Sequence, residues 1–122
     1  MSPFDRIYTD GGSRGNPGPA SAGIYIPEFG VRAGYYLGPC ITNNVAEYSA
    51  LILALIKAPL QGTNSVSILA DSELMVKQMN GRYKVNEKLL PLYKEALYYA
   101  SKLRGVTYTH IPREQNFGKT ET

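Results

Sequence analysis

The chain has 122 residues, 43% of them hydrophobic and 19% charged, enough to bury one core and too few for two ordinary domains. The single Cys40 excludes an internal disulfide and a cysteine-rich zinc site, while no apolar run is long enough to span a membrane and residues 1–5 lack the pattern of a secretory leader. A formal charge of +3 suits a polyanionic partner, and the expectation is one soluble, cytoplasmic domain over residues 1–122.

Residues 6–9 favour a short strand, which Asp10-Gly11-Gly12 and the prolines beyond it are expected to end. Residues 22–26 and 31–37 read as two more strands joined through Pro27-Glu28-Phe29-Gly30. Between 45 and 58, Tyr48, Leu51, Ile52, Leu55 and Ile56 recur at three and four residues, one face of an amphipathic helix stopped by Pro59 and capped by Asn43 or Asn44. A strand over 65–70 follows, then a short helix over 72–79 ended near Asn80-Gly81. A helix beginning at 87 or 91 and running to 103, and a strand over 106–111, complete the order. Because the fourth strand is reached through a helical crossover, this order predicts an α/β fold. Its mixed five-stranded sheet has three antiparallel strands, then parallel additions, with helices on its faces.

Three acids stand at informative places. Asp10 closes the first strand, Glu47 lies near the start of the first long helix, and Asp71 closes the fourth strand. Each has an ordinary explanation. Asp-Gly is common turn chemistry, Asn44 and Glu47 have the spacing of a capping box, and Asp71-Ser72 offers two N-cap residues. If the first and fourth strands are neighbours, however, all three converge at one sheet edge. Clustered carboxylates repel and raise one another's pKa, so such a cluster calls for cations, and hard oxygen ligands favour Mg²⁺ or Mn²⁺ over zinc. The glycine-rich segment after Asp10 lacks the Gly-Lys-Ser/Thr ending of a P-loop. His110 reads as a packed strand residue and stays outside the catalytic set; Tyr48, Tyr93 and Tyr98 or Tyr99 read as core. From 77 to 104 seven basic residues face only two acids, Glu87 and Glu95, which reads as a basic helical surface.

The blocks Tyr8-Thr9-Asp10-Gly11-Gly12-Ser13-Arg14-Gly15-Asn16-Pro17-Gly18, Thr42-Asn43-Asn44-Val45-Ala46-Glu47-Tyr48, Asp71-Ser72 and His110-Ile111-Pro112-Arg113-Glu114-Gln115-Asn116 occur in this order. Together they resemble the type 1 ribonuclease H family of bacteria and archaea. The resemblance implies a ribonuclease H-like fold and an endoribonuclease that hydrolyses the RNA strand of RNA/DNA hybrids by two-metal catalysis, leaving 5′-phosphate and 3′-hydroxyl ends. It implies two Mg²⁺ or Mn²⁺ ions held by Asp10, Glu47 and Asp71, and a hybrid contacted by Gly11, Ser13, Gly15, Asn16, Thr42, Asn43, Asn44 and Glu73. Ribose 2′-hydroxyls in the minor groove distinguish RNA from DNA. Family members usually carry a fourth acid after the Arg-Glu-x-Asn block, where this chain has Thr120 in a short C-terminal segment; Asn116 or Glu121 is the substitute ligand to consider. The alternative is a hybrid-binding module that cuts weakly or not at all for want of that acid. No protein partner is implied and a monomer is expected.

Overall fold

The computed structural model describes residues 4–118. Its strands are β1 (Asp5–Ser13), β2 (Gly18–Ile26), β3 (Val31–Ile41), β4 (Ser65–Ala70) and β5 (Gly105–His110), and its α-helices are α1 (Asn43–Leu60), α2 (Glu73–Met79) and α3 (Leu90–Ala100). The sheet order is β3-β2-β1-β4-β5. The first three strands pair antiparallel, whereas β4 joins β1, and β5 joins β4, in parallel. This is the mixed five-stranded α/β architecture that the order of elements implies.

The core forms because two periodicities meet on one side of the sheet. Ile7 on β1, Ile24 and Ile26 on β2, and Val66 and Ile68 on β4 fall on alternate strand positions, and all are 0% exposed. Against them lies the stripe of α1, in which Tyr48, Leu51, Ile52 and Leu55 are buried at helical spacing. Burying a side chain of Leu or Ile size contributes about 1.5–3 kcal/mol, so this stripe fixes how α1 sits on β1 and β2. Leu89 and Ala96 bring α3 into the same cluster.

Several boundaries differ from the sequence expectation. The first strand does not end at Asp10: Gly11, Gly12 and Ser13 pair with Ala22, Ser21 and Ala20, so partner-strand hydrogen bonding overrides the turn preference of Asp-Gly-Gly. Pro59 does not stop α1 and lies inside its last turn. The α1 cap is Thr42, whose hydroxyl accepts from the Val45 amide at 3.3 Å, rather than Asn43 or Asn44. Glu47 therefore lies beyond the first turn, and the capping-box explanation fails for it. His110 is exposed at the end of β5 rather than packed, whereas Tyr48 is buried and Tyr93 and Tyr99 pack against the core as expected, with Tyr98 the exposed member of its pair.

Candidate metal centre and nucleic-acid interface

Strand register carries two of the three acids to the same place. Thr9 on β1 lies opposite Ala70 on β4, so the residues that follow them, Asp10 and Asp71, leave the parallel pair side by side. The cap of α2 is Ser72, whose hydroxyl accepts from the Met75 amide at 3.2 Å. Asp71 is thus not needed as a cap.

Glu47 reaches this edge because Gly11 has no side chain. A Cβ at Gly11 would run into the Ala46 carbonyl and the Glu47 amide, so only glycine lets the start of α1 lie directly against the end of β1. Glu47 shares a small recess with Thr9, Gly11, Ala70, Asp71, Ser72 and Met75. Burial pushes its carboxyl up to about 7, the charges of Asp71 and Asp10 add to the rise, and the Ser72 hydroxyl and Arg113 oppose it. Asp71 and Asp10 are thus near enough for their charges to act on Glu47.

A fourth chain segment completes the edge. The Ile111 amide donates to the Ala70 carbonyl at 2.9 Å, extending the β4–β5 pairing, and a turn of 3-10 helix over Arg113–Gln115 follows. One guanidinium nitrogen of Arg113, Nη1, lies 3.3 Å from Asp10 Oδ1 and 3.1 Å from Asp71 Oδ2. Arg113 lies in the last of the family-like sequence blocks, where no role is expected for it from sequence. The available signal was its position just past β5, at the edge where β1 and β4 deliver their acids. As the side chains stand, no group of three or more His, Cys, Asp or Glu among the described residues is assembled as a metal cage.

Asn116 is fully buried and binds backbone at both ends of its amide. Nδ2 donates to the Thr9 carbonyl at 2.9 Å and Oδ1 accepts from the Gly118 amide at 3.0 Å. It clasps the segment carrying Arg113 to β1, and the Phe117 carbonyl is held in turn by Arg32 at 2.7 Å. Phe117 packs edge-on against Tyr8, with ring centroids 5.4 Å apart. A Cβ at Gly118 would press on the Tyr8 carbonyl, so the close approach of this segment also requires glycine. Thr120 and Glu121 lie outside the described residues.

The expected hybrid-contacting residues fall into two groups. Ser13, Gly15, Asn16 and Asn43 form one network: the Ser13 amide donates to Asn43 Oδ1 at 2.8 Å, the Asn43 amide donates to Asn16 Oδ1 at 3.0 Å, and the Ser13 hydroxyl lies 2.8 Å from the Gly15 carbonyl. Thr42 and Asn44 are exposed beside it at the start of α1. Glu73, by contrast, sits exposed on α2 with its carboxylate 3.5 Å from Lys77, and Gly11 is buried under α1. An open groove of about 480 Å³ runs from Asp10 and Arg113 past Ser13 and Arg14 to Tyr36.

A mixed five-stranded sheet with helices packed on it places the chain among α/β domains, and sequence comparison identifies the family. The model of the "Reverse transcriptase-like" family matches residues 9–117, and the chain belongs to this ribonuclease H-like family. It is 42% identical over 116 residues to the bifunctional protein Rv2228c of Mycobacterium tuberculosis, covering 90% of this chain and 32% of the relative. Against ribonuclease HI of Halobacterium salinarum it is 38% identical, over 89% of this chain and 57% of that one. The chain thus spans about a third and somewhat over half of these two relatives. Among solved structures, the N-terminal RNase H domain of rv2228c superposes with a TM-score of 0.85 at 41% identity, over 94% of this chain and 86% of that one. LC11-RNase H1, in complex with an RNA/DNA hybrid, superposes at 0.83 with 39% identity, over 92% and 88%.

Proposed function

We propose that this chain is a ribonuclease H-like unit that hydrolyses the RNA strand of RNA/DNA hybrids with divalent metal ions, leaving 5′-phosphate and 3′-hydroxyl ends. The observation that carries the reading is the approach of Asp10, Glu47 and Asp71 at one sheet edge, where burial, with a smaller contribution from the charges of Asp71 and Asp10, pushes Glu47 up to about 7. Arg113 supplies one positive charge to these acids, and a divalent ion would offset more of their combined charge. Their oxygens are hard ligands of the type Mg²⁺ and Mn²⁺ accept, so the donor set fits such ions by charge and chemistry.

Asp10, Glu47 and Asp71 would hold the metal, which when bound supplies an activated water and charge stabilisation for the departing oxygen. The remaining tasks belong to the protein. Gly11 sets the height of Glu47 over the acids. Ser13, Asn16 and Asn43 hold one another, so the surface presented to a nucleic-acid backbone is organised before binding, which limits the ordering cost of association. The exposed Thr42 and Asn44 flank that network and supply hydroxyl and amide groups suited to phosphate and ribose. Asn116, with both ends of its amide on the backbone, acts as the clasp of this edge rather than as a ligand.

The test is incubation of a labelled RNA/DNA hybrid, single-stranded RNA and duplex DNA with the protein in Mg²⁺ and separately in Mn²⁺. Cleavage of the hybrid alone supports the enzyme. Tight hybrid binding without cleavage in either metal would replace this reading with that of a binding module.

A further inference from the structure

We infer that Arg113 is a built-in competitor for the cation site, whose guanidinium holds Asp10 and Asp71 when no metal is bound and must swing out before a divalent ion occupies that position. This rests on the metal-dependent reading above and adds a device that sets the metal concentration at which the centre fills. A single nitrogen, Nη1, makes both contacts, at 3.3 Å and 3.1 Å, so one positive charge stands between acids delivered by two strands. The carboxylate side chains are only 10% and 11% exposed, whereas that of Arg113 is 66% exposed. The acids cannot readily turn to water, and the guanidinium can.

The backbone bearing Arg113 is fixed on both sides, by the Ile111–Ala70 hydrogen bond before it and by the Asn116 clasp after it. Exchange therefore needs only side-chain rotation, and the competing cation is never more than a rotamer change away. Because Arg113 is largely hydrated, the competition is modest. Removing it should tighten metal binding about five- to tenfold, the range in which an exposed charge near two partly buried acids acts.

The test is calorimetric titration of Mg²⁺ into the full chain at fixed pH and ionic strength, for wild type, Arg113→Gln and Asp10→Asn. In parallel, the Arg113 Nε–Hε resonance, assigned by its loss in Arg113→Gln, is followed by NMR as Mg²⁺ is added to wild type. The inference expects several-fold tighter binding in Arg113→Gln, abolished binding in Asp10→Asn, and a saturable shift of the arginine resonance with the same midpoint as the calorimetric curve. Unchanged or weaker binding in Arg113→Gln, or a resonance that ignores saturating Mg²⁺, would overturn the competition while leaving a metal centre that Asp10→Asn still destroys. Binding that survives Asp10→Asn at wild-type strength would remove the metal centre and the competition together.

Discussion

At Glu47 a carboxyl pushed up to about 7 makes the metal-free fold sensitive to pH in a defined direction. Its folded pKa lies above the ordinary 4.5, so the folded state binds more protons than the unfolded one between about pH 4.5 and 7, and stability falls as pH rises across that window. With partial hydration discounted, the loss amounts to about 2–3 kcal/mol. Denaturant unfolding at a series of pH values in EDTA should show this slope in wild type and a flatter line in Glu47→Gln; identical slopes would remove Glu47 as its source. Gly11 is the second residue on which the site turns. Gly11→Ala places a methyl group against the Ala46 carbonyl, and relieving it requires α1 to lift from β1, at a cost of about 1–3 kcal/mol. We expect a lower Tm and a larger loss of hybrid cleavage than that loss of stability explains, because Glu47 moves with α1.

Elements were legible where periodicity reports burial. The three-and-four spacing of α1 and the alternation in 65–70 located both, because the same side chains fill the core. Strand ends were less legible, since Gly11, Gly12 and Ser13 continue β1 only through pairing with residues in β2, and a partner strand is invisible to local propensity. The α1 cap falls a residue or two earlier for a related reason: Asn43 is engaged by Ser13 and Asn16 of the segment after Asp10, and Thr42 accepts from the Val45 amide as cap. Asp10, Glu47 and Asp71 could be named from spacing and family blocks, whereas Arg113 and Asn116 act through contacts more than 40 residues distant in sequence. Asn116→Ala should reveal that long-range role, leaving the Thr9 carbonyl and Gly118 amide without these partners in a buried place. We expect about 2–3 kcal/mol of destabilisation and faster hydrogen exchange at Gly118. Unchanged exchange there would show that the clasp does not hold this segment.

For the whole molecule, the distribution of charge suits the proposed nucleic-acid partner. The net charge of +3 is concentrated between 77 and 104, where Lys77 and Lys102 lie over the rings of Tyr83 and Tyr98 at 4.9 and 4.7 Å, and basic surfaces of this kind attract nucleic-acid backbones irrespective of sequence. No helix among the described residues is long and apolar enough to cross a membrane. The edge carrying Asp10 and Asp71 is acidic instead, with the Arg113 guanidinium between the two carboxylates. The account is tested most directly by comparing wild type with Asp10→Asn for cleavage of an RNA/DNA hybrid in Mg²⁺, with hybrid binding measured on the same samples. It predicts that cleavage falls by more than about 100-fold, as expected when a metal ligand is removed, while hybrid binding and the folded state persist. Cleavage by Asp10→Asn at the wild-type rate would contradict it.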